Sequence, residues 1–263
     1  MLHNALEYAV EKGYLAENPI DRIGWRAPRL TRQVDPRVVV SPDQARELLT
    51  AVTYVGTWEH QRGRLLMPFF AALYFAALRP EEAVELRLQD CTLPQKGPGL
   101  LTLSEVSTRA GSAWTDDGRK HEIRGWKHRA RDEVRPVPIS PELVRILRAY
   151  VDEFGVATDG RLFRSPNVGR LDSTRYLGVW HEARQLAFPP HLAASPLAQR
   201  PYGLRHAAVS LWLNSGVPAA EVAEMAGHSV AVLMDTYYKR NHGQRQAMAQ
   251  RIMGALGEDP GAL

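Results

Sequence analysis

The stretch YGLRHAAVSLWLNSGVPAAEVAEMAGHSVAVLMDTYY runs from Tyr202 to Tyr238. Its apolar spacing and its breaks predict three short helices, over 203–214, 218–226 and 230–239. Gly216 and Gly227 stand where helices end in a left-handed residue. Two tyrosines, Tyr237 and Tyr238, follow His228 by nine and ten residues. One helical step turns a side chain by about 100°, so only one of the pair can face a given site.

Outward from this stretch, the chain reads as mainly α with a small antiparallel β-sheet or hairpin insertion, an α+β class. A helix begins cleanly at SPDQ, with Ser41 as N-cap, Pro42 in the first turn and Gln44 completing a capping box. RLLMPFFAALYFAAL (64–78) is apolar on nearly every side and predicts a buried helix despite Pro68. Region 86–139 changes character. Short apolar runs, LLTL at 100–103 and VRPVPI at 134–139, alternate with Gly, Pro and Asp, and predict strands. Helices resume at Ser140-Pro141 and continue over 173–187, through the opening stretch, and over 243–255.

At the other end, LHNALEYAVEKGYL has helical spacing and is stopped by Asn18-Pro19. Residues 19–40 are rich in proline and arginine with little periodicity, the pattern of a linker. Three parts are therefore expected: an isolated helix over 1–18, a basic linker over 19–40, and the main domain over 41–263.

The single cysteine, Cys91, excludes an internal disulfide framework and fits a reducing compartment. No basic and apolar leader and no run of about 18 apolar residues is present, so neither export nor a membrane span is expected. A cytoplasmic protein is anticipated. Net charge is +4 and the isoelectric point is near 9.3. Distribution says more than the total. Residues 22–37 carry five arginines against one acid, and 119–135 carry seven Lys/Arg against three acids. Two basic stripes point to phosphate contact.

HExxH, paired CxxC, P-loop and GxGxxG patterns are missing, so neither metal nor nucleotide cofactor is expected. What remains is a set of cations and phenols near helix ends: Arg79, Lys127, Arg205, His228 and Tyr237. Such a set suits attack on a phosphodiester. Arginines grip non-bridging oxygens with planar donor forks and oppose the charge developing at phosphorus. A phenol with a pKa of about 10 can attack phosphorus if nearby cations favour the phenolate, and a lysine or histidine can then protonate the departing 5′-oxygen. A phosphotyrosine would conserve the bond energy for resealing.

In two boxes the sequence resembles the catalytic domain of the tyrosine recombinase, or phage integrase, family. ALRPEEAVELRLQDC (77–91) matches the first box, and YGLRHAAVSLWLNSGVPAAEVAEMAGHSVAVLMDTYY matches the second through to the nucleophile. The resemblance implies Arg79 and Arg205 as the catalytic arginines and Glu82 as the supporting acid. Asp90 becomes a structural residue, His228 the later histidine, and Tyr237 the nucleophile. RPVPI matches the strand after the family's hairpin, which places the catalytic lysine upstream, at Lys127 or its rival Lys120. The first helix and the linker resemble the end of the family's core-DNA-binding domain. Double-stranded DNA is then the partner, bound weakly by this chain alone. Family members are monomers when free and tetramers on DNA, and they act at the bacterial nucleoid.

Two positions depart from the family pattern. Tyr202 stands where the family usually has histidine, and a phenol cannot be a cationic acid at neutral pH. Ala77 replaces a usual glycine, which reads as a mild change. His206 is expected to be a structural histidine bonded to backbone. GVPAAEVAEMAGHS also reads as a helix-turn-helix, so a non-enzymatic DNA-binding module or an inactive relic is the competing expectation. A type IB topoisomerase-like nicking-closing enzyme would use the same chemistry.

Overall fold

In this computed structural model the described residues are 2–23, 33–56, 61–104, 106–109, 121–124, 134–165, 169–237 and 253. The chain forms two compact units, Met1–Arg32 and Gln33–Leu263. The first unit contains α1 (Leu2–Glu11) and a short 3-10 turn at Asp21–Ile23. Asn18 ties it together by donating to the Glu7 carboxylate at 2.6 Å and to the His3 carbonyl at 3.3 Å. The boundary after Arg32 falls inside the stretch read as a linker.

The second unit starts its helices where the sequence supplies caps. In α2 (Pro42–Thr53) the Ser41 hydroxyl accepts from the Gln44 N–H, and the Gln44 amide oxygen accepts from the Ser41 N–H at 3.0 Å. α3 (Arg62–Phe75) is the central helix. It lies against α2, α5 (Pro141–Phe154) and α8 (Tyr202–Asn214), and it buries Pro68 with its neighbours as expected. Phe69 and Phe70 on α3 meet Phe163, Tyr176 and Trp180, and Trp180 belongs to α6 (Ser173–Ala187). These aromatic contacts anchor the larger core, where burial of large side chains stabilises the fold by about 1.5–3 kcal/mol each.

The β insertion is small, as the sequence predicts. β1 (Cys91–Thr92), β2 (Gly99–Leu103) and β5 (Arg135–Ile139) form an antiparallel sheet in the order β1-β2-β5. β3 (Val106–Arg109) pairs with β4 (His121–Arg124) in a separate antiparallel ribbon. Pro136 and Pro138 are tolerated because β5 is an edge strand. Strand alternation turns Arg135, Val137 and Ile139 inward together. The remaining helices are α4 (Pro80–Glu85), which precedes the sheet in the chain, and α7 (Pro190–Ala193), α9 (Ala219–Ala226) and α10 (Val230–Tyr237), which follow it. A second apolar cluster joins Ala77, Val209, Val222, Ala226, Leu233 and Tyr237. Gly216 and Gly227 hold φ values of 84° and 63°, the left-handed stops expected of them. The helix expected over 243–255 lies outside the described residues, apart from residue 253.

Candidate active site

Arg79 is the N-cap of α4, with Pro80 in the first turn. A cation there opposes the positive end of the helix dipole. Glu82 offsets it. Its carboxylate accepts from the Arg79 backbone N–H at 2.9 Å and also from the Arg79 guanidinium. Arg79 Nη2 then donates to the Gly227 carbonyl at 2.7 Å, across the chain from α4 to the turn after α9.

Arg205 projects from α8 and is fully buried. It donates to the carbonyls of Ala77 and Ala226 and, at 2.8 Å, faces His228 Nε2. Arginine has no acceptor, so His228 Nε2 must accept and its own proton sits on Nδ1. The Ala77 carbonyl reaches Arg205 because Ala77 holds φ 49°, a left-handed conformation. The replacement of a usual glycine there is therefore not mild. An L-residue in this region costs roughly 1–2 kcal/mol.

Glu82 is the common counter-ion. Arg135 Nη2, on the inward face of β5, donates to Glu82 Oε2 at 2.7 Å. Arg205 Nη1 lies 3.9 Å from the same oxygen. Three guanidiniums thus face one carboxylate. Burial would raise the Glu82 pKa, but Arg135, then Arg205 and Arg79, overcome it and hold the group below the ordinary carboxylate range. Arg135 is pushed down to about 10, first by burial and despite Glu82. Gly227 is required beside it: a Cβ there would lie 1.9 Å from Arg135 Nη1, and its φ of 63° disfavours any other residue. His228 is pushed down to about 3 by burial, then by Arg205 and Arg79. It is neutral at neutral pH, a hydrogen-bonding group and not a cationic acid.

Tyr202 opens α8. Its ring lies edge-on to His206 at 4.9 Å, and the Arg205 guanidinium carbon is 6.0 Å from its centroid. The Tyr202 phenol is near enough to Arg79 to favour the guanidinium charge. One turn along α8, His206 Nδ1 lies 2.7 Å from the Tyr237 hydroxyl. Tyr237 is otherwise buried, 2% exposed, in the second apolar cluster. Tyr202 and His206 line an open cleft of about 650 Å³, whose wall also includes Pro80, Glu81, Gln199 and Arg200.

No family model matches the sequence, and no curated protein matches it. Solved structures do. The Tn1549 transposon integrase (residues 82–397, in complex with circular intermediate DNA) matches with a TM-score of 0.66 at 17% identity, covering 95% of this chain and 76% of that one. The XerH site-specific recombinase bound to palindromic difH substrate gives 0.55 at 15% identity, over 83% of this chain and 53% of its own. XerA recombinase gives 0.52 at 18%, over 94% and 79%. The chain has the fold of a tyrosine recombinase catalytic domain.

Within this recombinase fold, Arg79, Glu82, Tyr202, Arg205 and His228 converge as a connected group. Tyr237 joins them through His206. Lys127, Lys120 and Tyr238 lie outside the described residues. Two members were not foreseen. His206 bonds the Tyr237 hydroxyl, a side-chain contact that the sequence reading did not include. Arg135 is the other. Its signal was available: in RPVPI the alternation that buries Val137 and Ile139 also buries Arg135, and a buried arginine demands a carboxylate.

Proposed function

We propose that this chain is the catalytic part of a site-specific DNA recombinase or integrase, cleaving and rejoining strands through a 3′-phosphotyrosyl intermediate. The observation that carries the reading is the convergence of Arg79 and Arg205, from separate helices, on one turn: Arg79 on the Gly227 carbonyl, Arg205 on Ala226 and His228. Three cations against one carboxylate leave an excess of positive charge that a phosphodiester would offset.

In this reading Arg79 and Arg205 clamp the scissile phosphate, and Glu82 orients Arg79. Tyr202 donates to a phosphate oxygen in place of the usual histidine. His228, neutral, supplies a hydrogen bond from Nδ1 and holds Arg205 through Nε2. Lys127 protonates the departing 5′-oxygen, with Lys120 as the rival. Tyr237 attacks. Residues 1–18 would be the end of a core-DNA-binding domain and 19–40 its linker, with the protein acting as a tetramer on double-stranded DNA at the nucleoid.

The test is covalent capture. A duplex nicked just downstream of the cleavage position, labelled at the 5′ end of the cut strand, loses its short leaving fragment and traps the intermediate. A labelled adduct that disappears in Tyr237→Phe and persists in Tyr238→Phe supports the reading. Loss only in Tyr238→Phe keeps the chemistry and moves the nucleophile by one residue. DNA binding without an adduct in any version leaves a helix-turn-helix-like binding module or an inactive relic.

A further inference from the structure

The proposed roles leave one contact unused: His206 Nδ1 lies 2.7 Å from the Tyr237 hydroxyl. A phenol with a pKa of about 10 is almost wholly protonated at neutral pH, so attack on phosphorus needs a group to receive its proton. Such a base must stand within about 2.6–3.2 Å of the oxygen that it serves.

The other described groups of the cluster are poorly suited. Arg79, Arg135 and Arg205 are donors only. Glu82 is committed to those arginines, and three positive neighbours weaken it as a base. His228 Nε2 is occupied by Arg205. Tyr202 is itself a phenol. His206 remains, and its position follows from the helix. Tyr202 and His206 are four residues apart on α8, so both fall on one face, stacked edge-to-face at 4.9 Å. Both line the cleft, while Tyr237 approaches from α10 behind them.

We propose that His206 is the general base for Tyr237. The proposal rests on Tyr237 being the nucleophile. In cleavage the Tyr237 oxygen bonds to phosphorus, the bond from phosphorus to the 5′-oxygen breaks, and the phenolic proton passes to Nδ1. The 5′-oxygen takes its proton from the acid assigned to Lys127. Resealing reverses each transfer: the 5′-hydroxyl attacks and returns a proton to that acid, and the phenolic oxygen leaves with the proton from Nδ1. This transfer requires an imidazole that is neutral before cleavage, with its proton on Nε2, and leaves it cationic while the adduct exists.

The competing role is an anchor that only holds the phenol in place. Glutamine separates the two, because it can accept the hydrogen bond without taking up a proton. The experiment measures the rate of adduct formation on a pool of 5′-labelled nicked duplexes of randomised sequence. Wild type is compared with Tyr237→Phe, His206→Gln, and His206→Ala with and without free imidazole. Both His206 variants are expected to fall by about 10² or more, the scale of general acid–base catalysis. Imidazole should restore His206→Ala at least about tenfold and leave wild type unchanged. No adduct in wild type, or an adduct that survives in Tyr237→Phe, overturns the nucleophile reading and this proposal with it. A Tyr237-dependent adduct formed within a few-fold of wild-type rate by His206→Ala overturns the His206 role alone. So does recovery in His206→Gln, or a slow His206→Ala that imidazole does not rescue.

Discussion

The Ala77 carbonyl accepts a hydrogen bond from Arg205, and it points there because Ala77 holds φ 49°. Left-handed backbone is easy for glycine and strained for alanine. Ala77→Gly is therefore expected to preserve stability or raise it by up to about 1 kcal/mol, although it removes a buried methyl. Ala77→Val adds a β-branched side chain to a fully buried left-handed site and should cost more than about 2 kcal/mol. Thermal melts of the three proteins check this. A clear loss of stability in Ala77→Gly would show that the methyl packing outweighs the backbone strain.

Arg135 presents a different balance. Removing one partner of a buried ion pair ordinarily costs about 3–5 kcal/mol. Here Glu82 keeps Arg79 and Arg205, and burial already disfavours the Arg135 charge, with its pKa held down to about 10. Arg135→Met should therefore cost less than about 2 kcal/mol in urea unfolding, below the usual penalty for a broken buried pair. Adduct formation should nevertheless slow by at least about tenfold, because Glu82 Oε2 loses a group that fixes it. A variant that unfolds outright, or one with unchanged cleavage, would show that Arg135 serves the fold alone.

The helical frame was legible because each start carries a local signal. Ser41-Pro42 and Ser140-Pro141 cap α2 and α5, and Gly227 closes α9. The clamp was legible through its motifs. What was missed depended on distance. Arg135 makes sense only when β5 lies beside α4, and its Glu82 partner is 53 residues away. His206 was read as structural because nothing local announces that α10 returns to α8; their contact spans 31 residues. Ala77 was misjudged for the same reason, since its φ is set by the need to reach Arg205.

His228 predicts an acid-labile fold. Its folded pKa, about 3, lies below the unfolded value of about 6.5, so between these limits the unfolded chain binds a proton that the native one refuses. Stability should be unaffected by this group above pH about 6.5 and fall as pH drops below it. Glu82, whose folded pKa is also lowered, adds its own loss only at more acidic pH, below its unfolded value of about 4.3. In the window between them His228→Gln should flatten the dependence of melting temperature on pH. An unchanged slope in that variant would mean that other groups cause the acid sensitivity.

Arg79 and Arg205 should separate when each is replaced. Arg205 is fully buried and donates to two backbone carbonyls, so Arg205→Ala leaves a cavity and orphans Ala77 and Ala226. It should lose both structure and cleavage. The Arg79 side chain is 24% exposed, and Arg79→Ala leaves Glu82 its bond to Arg135. It should lose about 10²–10³ in cleavage rate while remaining folded. Arg205→Lys should not restore activity, because an ammonium cannot span the Ala77 carbonyl, the Ala226 carbonyl and His228 as the planar guanidinium does. Single-turnover adduct formation, read beside circular dichroism of each variant, separates the two losses. If Arg79→Ala retains cleavage within a few-fold of wild type, Arg79 does not touch the phosphate.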